Sequence, residues 1–372
     1  MGGTMSDMTC CARDLGLSSD LELAKVAAAT PLHHGKGVTA GLLVWSSELR
    51  VVLAAQPQSL QREEEKKWDL EDLQPKVGSI SSSELSTASS KVVAYDLWSA
   101  EPAWTASTPV EEILCMAWVP ERRLLVCGGA GIKEIAALDE KHQVVWSLDS
   151  GIGKACCLQW APGLDLMICG GKQEVLAFSL DEAANSSSSW EPRWLVNTEF
   201  LSLNCLAWSG SQGLIFAAGS HERVILGKVV ALDAKQGGQE RWSALPSVGA
   251  VLCCLAAEEP ALFFCGGNHA KVAALEPGSG EQRWIVDPGV GESRQYGVYS
   301  SPGVLCLAWA KASGKLLCGG SLGKIAALDP LSGHLLWAVD PGVSALRSMA
   351  YVPEMGGTLC CGAAGGVAAL VT

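Results

Sequence analysis

The chain has 372 residues, of which 48% are hydrophobic and 18% charged, with a formal net charge of −12. That composition supports a large buried core, and the acidic balance argues against nucleic acid, whose binders carry basic surface to displace counterions. No apolar run approaches the roughly eighteen residues that a membrane-spanning helix needs. Residues 1–30 lack the basic and apolar regions of a secretory leader, so a cytoplasmic protein is expected.

The N-terminus reads MGGTMSDMTCC. Gly2 and Ser6 fit the M-G-x-x-x-[ST] pattern for N-myristoylation. Cys10 and Cys11 stand where a palmitoyl group would add the second anchor that stable membrane attachment requires. Residues 1–12 read as a flexible tail, and acylation there is the one membrane attachment that the sequence suggests.

Residues 13–372 read as a single repeat domain. LSSDLELAKV, from Leu17 to Val26, aligns with LSGHLLWAVD, from Leu331 to Asp340, with Leu23 in the place of Trp337. A complete unit follows, with four short apolar runs bounded by turn residues, which read as strands A to D. In it A is Gly41–Trp45, B is Leu49–Ala55, C is Lys91–Asp96 and D is Ala100–Trp104. Five more units begin at Cys115, Cys157, Cys205, Cys254 and Val304, and Ser348–Val371 supplies A, B and C without D. Six complete units, A–B–C at one end and an isolated D at the other make seven. Four-stranded repeats of this length bury their faces by stacking as propeller blades. The expected fold is an all-β, seven-bladed β-propeller of four-stranded antiparallel blades, with the last blade closed by the N-terminal strand.

Two residue types keep the repeat register. Trp104, Trp146, Trp194, Trp242, Trp284 and Trp337 share one position in strand D, and read as a packing ring between blades. Trp45, Trp118, Trp160, Trp208, Trp309 and Tyr351 share one in strand A. Cys115, Cys157, Cys205, Cys254 and Cys306 share a position in strand A, and Cys127, Cys169, Cys265, Cys318 and Cys360 one in strand B. A thiol recurring at one strand position behaves as a small buried hydrophobe, so reduced structural cysteines are expected.

Ala327-x-Asp329-x3-Gly333-x3-Trp337 resembles the tryptophan-docking motif of pyrroloquinoline-quinone-type propeller repeats, and Ala274, Glu276, Gly280 and Trp284 nearly repeat it. The unit at Ala231 and Asp233 is one residue longer, and that at Ala137 and Asp139 one shorter. The A–B segments, LAWxxxxxxLLCGG, also resemble tryptophan–aspartate (WD) repeats. The resemblance implies the propeller fold; its motif residues are structural in that family. Quinone dehydrogenases of the family carry a Ca²⁺-bound cofactor, carboxylate ligands, a catalytic Asp and in some members a vicinal disulfide. The adjacent pairs Cys156–Cys157, Cys253–Cys254 and Cys360–Cys361 fall in predicted strands, where packing accounts for them. No cofactor, metal ligand or catalytic residue is assigned, and a non-enzymatic protein is expected; the alternative is a quinoprotein-like enzyme or small-molecule sensor using the central channel.

GGAG at Gly128–Gly131 precedes no helix and cannot cradle a pyrophosphate. His33 and His34 lack zinc spacing. Asp96, Asp139, Asp233 and Asp329 follow strand C, where Asp closes turns through its own side chain.

Function is then expected where the repeats depart from their pattern, on loops held by a rigid scaffold. Residues 57–90, an acidic and then Ser-rich stretch expected to be disordered, enlarge the first B–C loop. Residues 219–228 lengthen the fourth B–C loop and 287–303 the fifth D–A loop. These share one face; only the C–D loop 181–193 falls on the other. Tyr and Arg are enriched at interface hot spots, so His221, Arg223, Arg294, Tyr296 and Tyr299 are the candidate contacts for a protein partner within a larger assembly.

Overall fold

The computed structural model describes residues 43–46, 51–56, 90–96, 102–185, 190–221, 226–292, 303–362 and 367–371. Blade I comprises β1 (Leu43–Ser46), β2 (Val51–Gln56), β3 (Ser90–Asp96) and β4 (Pro102–Thr108). Blade II comprises β5 (Glu112–Val119), β6 (Leu124–Ala130), β7 (Ile135–Leu138) and β8 (Val144–Leu148). Blade III has β9 (Cys157–Ala161), β10 (Leu166–Gly170), β11 (Glu174–Phe178) and β12 (Trp194–Asn197), with a short helix α1 (Leu180–Asn185) between its last two strands. Blade IV has β13 (Phe200–Ser209), β14 (Leu214–His221), β15 (Gly227–Asp233) and β16 (Gln239–Ala244). Blade V has β17 (Val251–Ala257), β18 (Leu262–Gly267), β19 (Val272–Leu275) and β20 (Gln282–Val286). Blade VI has β21 (Val304–Ala310), β22 (Lys315–Gly320), β23 (Ile325–Leu328) and β24 (Leu335–Val339). Sheet VII has three strands, β25 (Leu346–Val352), β26 (Gly357–Gly362) and β27 (Val367–Val371).

Every sheet is an antiparallel meander in sequence order. The fold is an all-β propeller with six complete four-stranded blades among the described residues. The strand expected over 17–26, the insertion 57–89 and the N-terminal tail lie outside them. The first strand of each sheet packs on the first strands of its neighbours, and β1 packs on both β5 and β25.

The second and third strands are continuous apolar runs because a neighbouring sheet covers each face. All four residues of β7, β19 and β23 are buried. Among the described residues the core divides into six clusters, each shared by two consecutive sheets. Radiating sheets taper towards the axis, so the seams need small side chains inside and large ones outside. Cysteine and glycine satisfy the inner end. Cys115, Cys157, Cys253 and Cys306 pair across strands with Gly128, Gly170, Gly266 and Gly319. A Cβ on Gly128 would stand 2.7 Å from Cys115 Sγ, and one on Gly319 2.8 Å from Cys306 Sγ. This register corrects one expectation: the repeat position in blade V belongs to Cys253, whereas Cys254 faces Cys265. The same shift places Ala256 opposite Phe263 where other blades set Trp118, Trp160 or Trp309 against Leu125, Met167 or Leu316. The aromatic bulk has crossed to the partner strand.

Tryptophan fills the outer end. Each strand-D tryptophan lies opposite an alanine of strand C, from Ala94 and Trp104 to Ala327 and Trp337. The rings of Trp104, Trp194, Trp242 and Trp284 cover the C–D turn of the next blade. Trp242 Nε1 donates to the Pro277 carbonyl at 2.8 Å and Trp284 Nε1 to that of Pro330 at 2.9 Å. The turn is shaped by its acid: Asp329 Oδ1 accepts from the N–H groups of Leu331 at 3.1 Å and Ser332 at 2.8 Å. Asp139 and Asp233 close their turns in the same way. In the shorter turn of blade II, His142 takes the left-handed position at φ 65 and stacks on Trp104 with 4.0 Å between ring centroids. Blade III departs most, because α1 replaces the expected loop and packs against β8, with Phe178 edge-on to both Trp146 and Trp190.

Gly333 combines two constraints: a left-handed φ of 72 and a Cβ position 2.8 Å from the Trp284 ring. Gly342 has a φ of 75 with nothing within 4 Å of that position. Gly333→Ala is therefore expected to lower stability in urea titration by roughly 2–4 kcal/mol, and Gly342→Ala by only about 1 kcal/mol, the backbone cost alone.

Candidate functional site

The meander places the B–C and D–A connections of every blade on one face. The D–A connections are preorganised by their own side chains. Asp149, Asp287 and Asp340 accept through Oδ1 from the N–H groups of Gly151 at 3.0 Å, Gly289 at 2.8 Å and Gly342 at 2.8 Å. The next apolar residue, Ile152 or Val290, turns into the core, as does Val248 in blade IV.

Two buried charges brace the same face. Glu134 and Lys228 occupy one repeat position at the start of strand C, and each is satisfied by a D–A connection. Glu134, 3% exposed, accepts from the Ser150 N–H at 3.0 Å and from its hydroxyl. Lys228 Nζ donates to the Thr198 carbonyl at 3.1 Å, above the Phe200 ring. A buried charge is tolerated only with such partners. At the equivalent positions Lys91, Lys271 and Lys324 are exposed.

Of the candidate contacts, His221 is the last residue of β14, half-buried opposite Phe200, and its N–H donates to the Leu226 carbonyl at 2.9 Å. Arg223, Arg294, Tyr296 and Tyr299 lie outside the described residues, as do Gly2, Cys10 and Cys11. The ends of the segment bearing Arg294, Tyr296 and Tyr299 are described. Ser321 Oγ accepts from the N–H groups of both Glu292, at 3.2 Å, and Gly303, at 3.1 Å. The Leu322 N–H beside it donates to the Val290 carbonyl at 3.0 Å.

Exposed apolar side chains on this face were missed in the sequence reading. Ile132, 78% exposed, and Leu226 and Leu322 stand in B–C turns, Leu245 in a D–A connection and Leu201 at the start of β13. A signal existed: the turns read GIK at 131–133 and LGK at 226–228 and 322–324, with an apolar residue where turns normally carry polar ones. The opposite face exposes Leu331 in a C–D turn, and several of its charges are paired with one another. Arg122 bridges Asp165 and Asp181, each at 2.9 Å, and Arg193 pairs with Glu182 at 2.6 Å.

The inner thiols are held protonated. Burial, reinforced by neighbouring cysteines, pushes Cys115, Cys157, Cys253 and Cys306 well above the ordinary thiol range, and burial raises Cys127 to about 12. Among the described residues no group of three or more His, Cys, Asp or Glu is arranged to hold a metal ion.

A family model described as outer membrane protein assembly factor BamB, PQQ_2, matches residues 133–346, more than half of the chain. The crystal structure of the computationally designed Ika8 protein resembles it with a TM-score of 0.59 at 14% sequence identity, covering 89% of this chain and 83% of that one. At that identity the likeness shows the fold alone. No curated protein matches the chain. The matched span contains the tryptophan-and-glycine docking seams of blades III to VI, and the chain belongs to the PQQ_2, outer membrane protein assembly factor BamB, family of β-propellers.

Proposed function

We propose that the protein is a non-enzymatic scaffold that binds protein partners through the face of its B–C and D–A connections. The observation that carries this reading is the exposure of Ile132, Leu201, Leu226, Leu245 and Leu322 on that one face, above connections braced by Glu134, Lys228 and Ser321. Exposed apolar groups on a rigid base suit partner binding. The family description, an assembly factor, is in keeping with it. Arg294, Tyr296 and Tyr299 would join the surface from the segment whose ends meet at Ser321, and His221 and Arg223 from the connection that leads to Leu226.

Seven blades, the last completed by residues 17–26, is the ring we favour. In its support, β1 contacts both β5 and β25, and among the described residues β27 pairs with β26 alone. A membrane tether through myristoylated Gly2 with palmitoylated Cys10 and Cys11 would set the scaffold on a lipid surface. Intact-mass analysis of the natively expressed protein is expected to show a myristoyl group on Gly2; an acetylated or unmodified N-terminus would exclude the tether.

The face is tested with Leu226→Asp, Leu245→Asp and Leu322→Asp combined. Affinity isolation from the native source is expected to lose the wild-type partners, with affinity reduced roughly tenfold or more. Arg122→Ala on the opposite face should retain them. A folded triple variant that keeps every partner would refute the assignment.

A further inference from the structure

Among the described residues, the outer strands β4, β8, β12, β16, β20 and β24 each pair with the third strand of their own blade alone. Such an edge presents unpaired N–H and C=O groups that template pairing with another chain, and charge or proline on the edge blocks it. Four blades carry that protection at the two residues before the docking tryptophan. Blade I has Pro102 there, and blade III has Pro192 and Arg193, with Arg193 Nε donating to Glu182 at 2.9 Å. Blade IV has Glu240 and Arg241, and blade V has Gln282 and Arg283. These last two arginines are fixed on the acid of their own C–D turn, Arg241 Nε on Asp233 at 3.0 Å and Arg283 Nε on Glu276 at 2.8 Å.

Blades II and VI carry exposed apolar pairs at the same two positions, Val144 with Val145 and Leu335 with Leu336. Helix α1 packs against β8. β24 has neither charge, proline nor such a helix, and Leu335 and Leu336 are 51% and 42% exposed. Leu331, exposed in the C–D turn, extends this apolar edge. The bulge in β24 beside Leu336 recurs in the outer strands of blades I, II, IV and V, so it belongs to the docking turn and does not distinguish this edge. The residues three before and three after the docking tryptophan do distinguish it. They are Gln143 and Asp149 in blade II, Glu281 and Asp287 in blade V, and His334 and Asp340 in blade VI, all exposed.

We propose that the edge of blade VI is a self-association site, where two copies of this chain join their β24 strands antiparallel about a two-fold axis into one continuous sheet. Centred on Trp337, this pairing sets Leu335 opposite Val339 and Leu336 opposite Ala338 of the second copy. It also sets His334 of each copy opposite Asp340 of the other, so a basic and an acidic group meet twice across the axis. The same pairing would oppose Glu281 to Asp287 in blade V, two like charges, and Gln143 to Asp149 in blade II, leaving each carboxylate without a base. An edge complementary to itself makes an isologous contact, which closes at two copies. The contact lies on the rim, so the B–C and D–A face of both copies stays open and the proposal stands independently of partner binding there.

The test uses the full chain with its natural sequence. Analytical ultracentrifugation over roughly 1–100 μM protein is expected to show a monomer–dimer equilibrium. Backbone hydrogen exchange of residues 335–339 should slow as protein concentration rises. Leu335→Gln combined with Leu336→Arg gives blade VI the pair that blade V carries, and should weaken dimerisation tenfold or more while the chain still unfolds cooperatively. His334→Glu should weaken the dimer and His334→Lys retain it. A chain monomeric throughout that range, a dimer whose exchange at 335–339 is independent of concentration, or a dimer that the folded Gln–Arg variant leaves intact would each overturn the proposal. Protection of 335–339 that appears only on adding another protein would also overturn it, by giving the edge a different occupant. If the double variant does not fold, the exchange measurement on the natural chain decides.

Discussion

The middle strands of each blade, such as β23 with all four residues buried, are apolar on both faces, so a blade alone would present two apolar surfaces to water. Neighbouring sheets must cover them, and the six core clusters are accordingly seams rather than one central core. At their outer ends these seams are held by strand-D aromatic rings, as where Trp284 covers Gly333 and bonds to Pro330. Truncating a buried Trp costs about 3–5 kcal/mol. The net stability of a domain is about 5–15 kcal/mol. One seam is thus a large fraction of what keeps the chain folded.

The taper of the seams also decides where chemistry can occur. Near the axis Gly and Cys of paired strands meet with room for only a few Leu and Val side chains, so thiols recur there for their size and burial keeps them protonated. The proposed binding face lies on the connections, where Asx turns and the satisfied charges of Glu134 and Lys228 fix the backbone from which loops depart. In the seam between blades IV and V, Asn204 Nδ2 takes the Val251 carbonyl, the position whose Ala155 equivalent accepts from Cys115 Sγ between blades II and III.

Much of this architecture was legible in the residues themselves. Trp at strand D and Asp after strand C recur because each blade repeats one docking contact, and both kept their register in three dimensions. The misassignment of Cys254 arose where two cysteines are adjacent and the aromatic marker of strand A is Ala256, its bulk having moved to Phe263. Helix α1 escaped notice because six residues are too few for helical periodicity to show. For the candidate face the sequence offered loop lengths and the positions of Tyr and Arg. The exposed leucines were hidden among many apolar residues whose burial depends on which side of a turn they take. The Glu134 and Lys228 braces were likewise invisible, since opposite charges at one repeat position look like drift until their D–A partners are seen.

The proposed scaffold requires a closed ring, because an open end would leave one sheet with an uncovered apolar face. Residues 17–26 carry the strand-D pattern that sheet VII lacks among the described residues. The direct measurement is the solubility and thermal unfolding of the chain with residues 13–28 removed. The account predicts loss of soluble, cooperatively unfolding protein, restored when the segment is supplied as a separate peptide. A truncated chain that remains monomeric and melts at the wild-type temperature would contradict it.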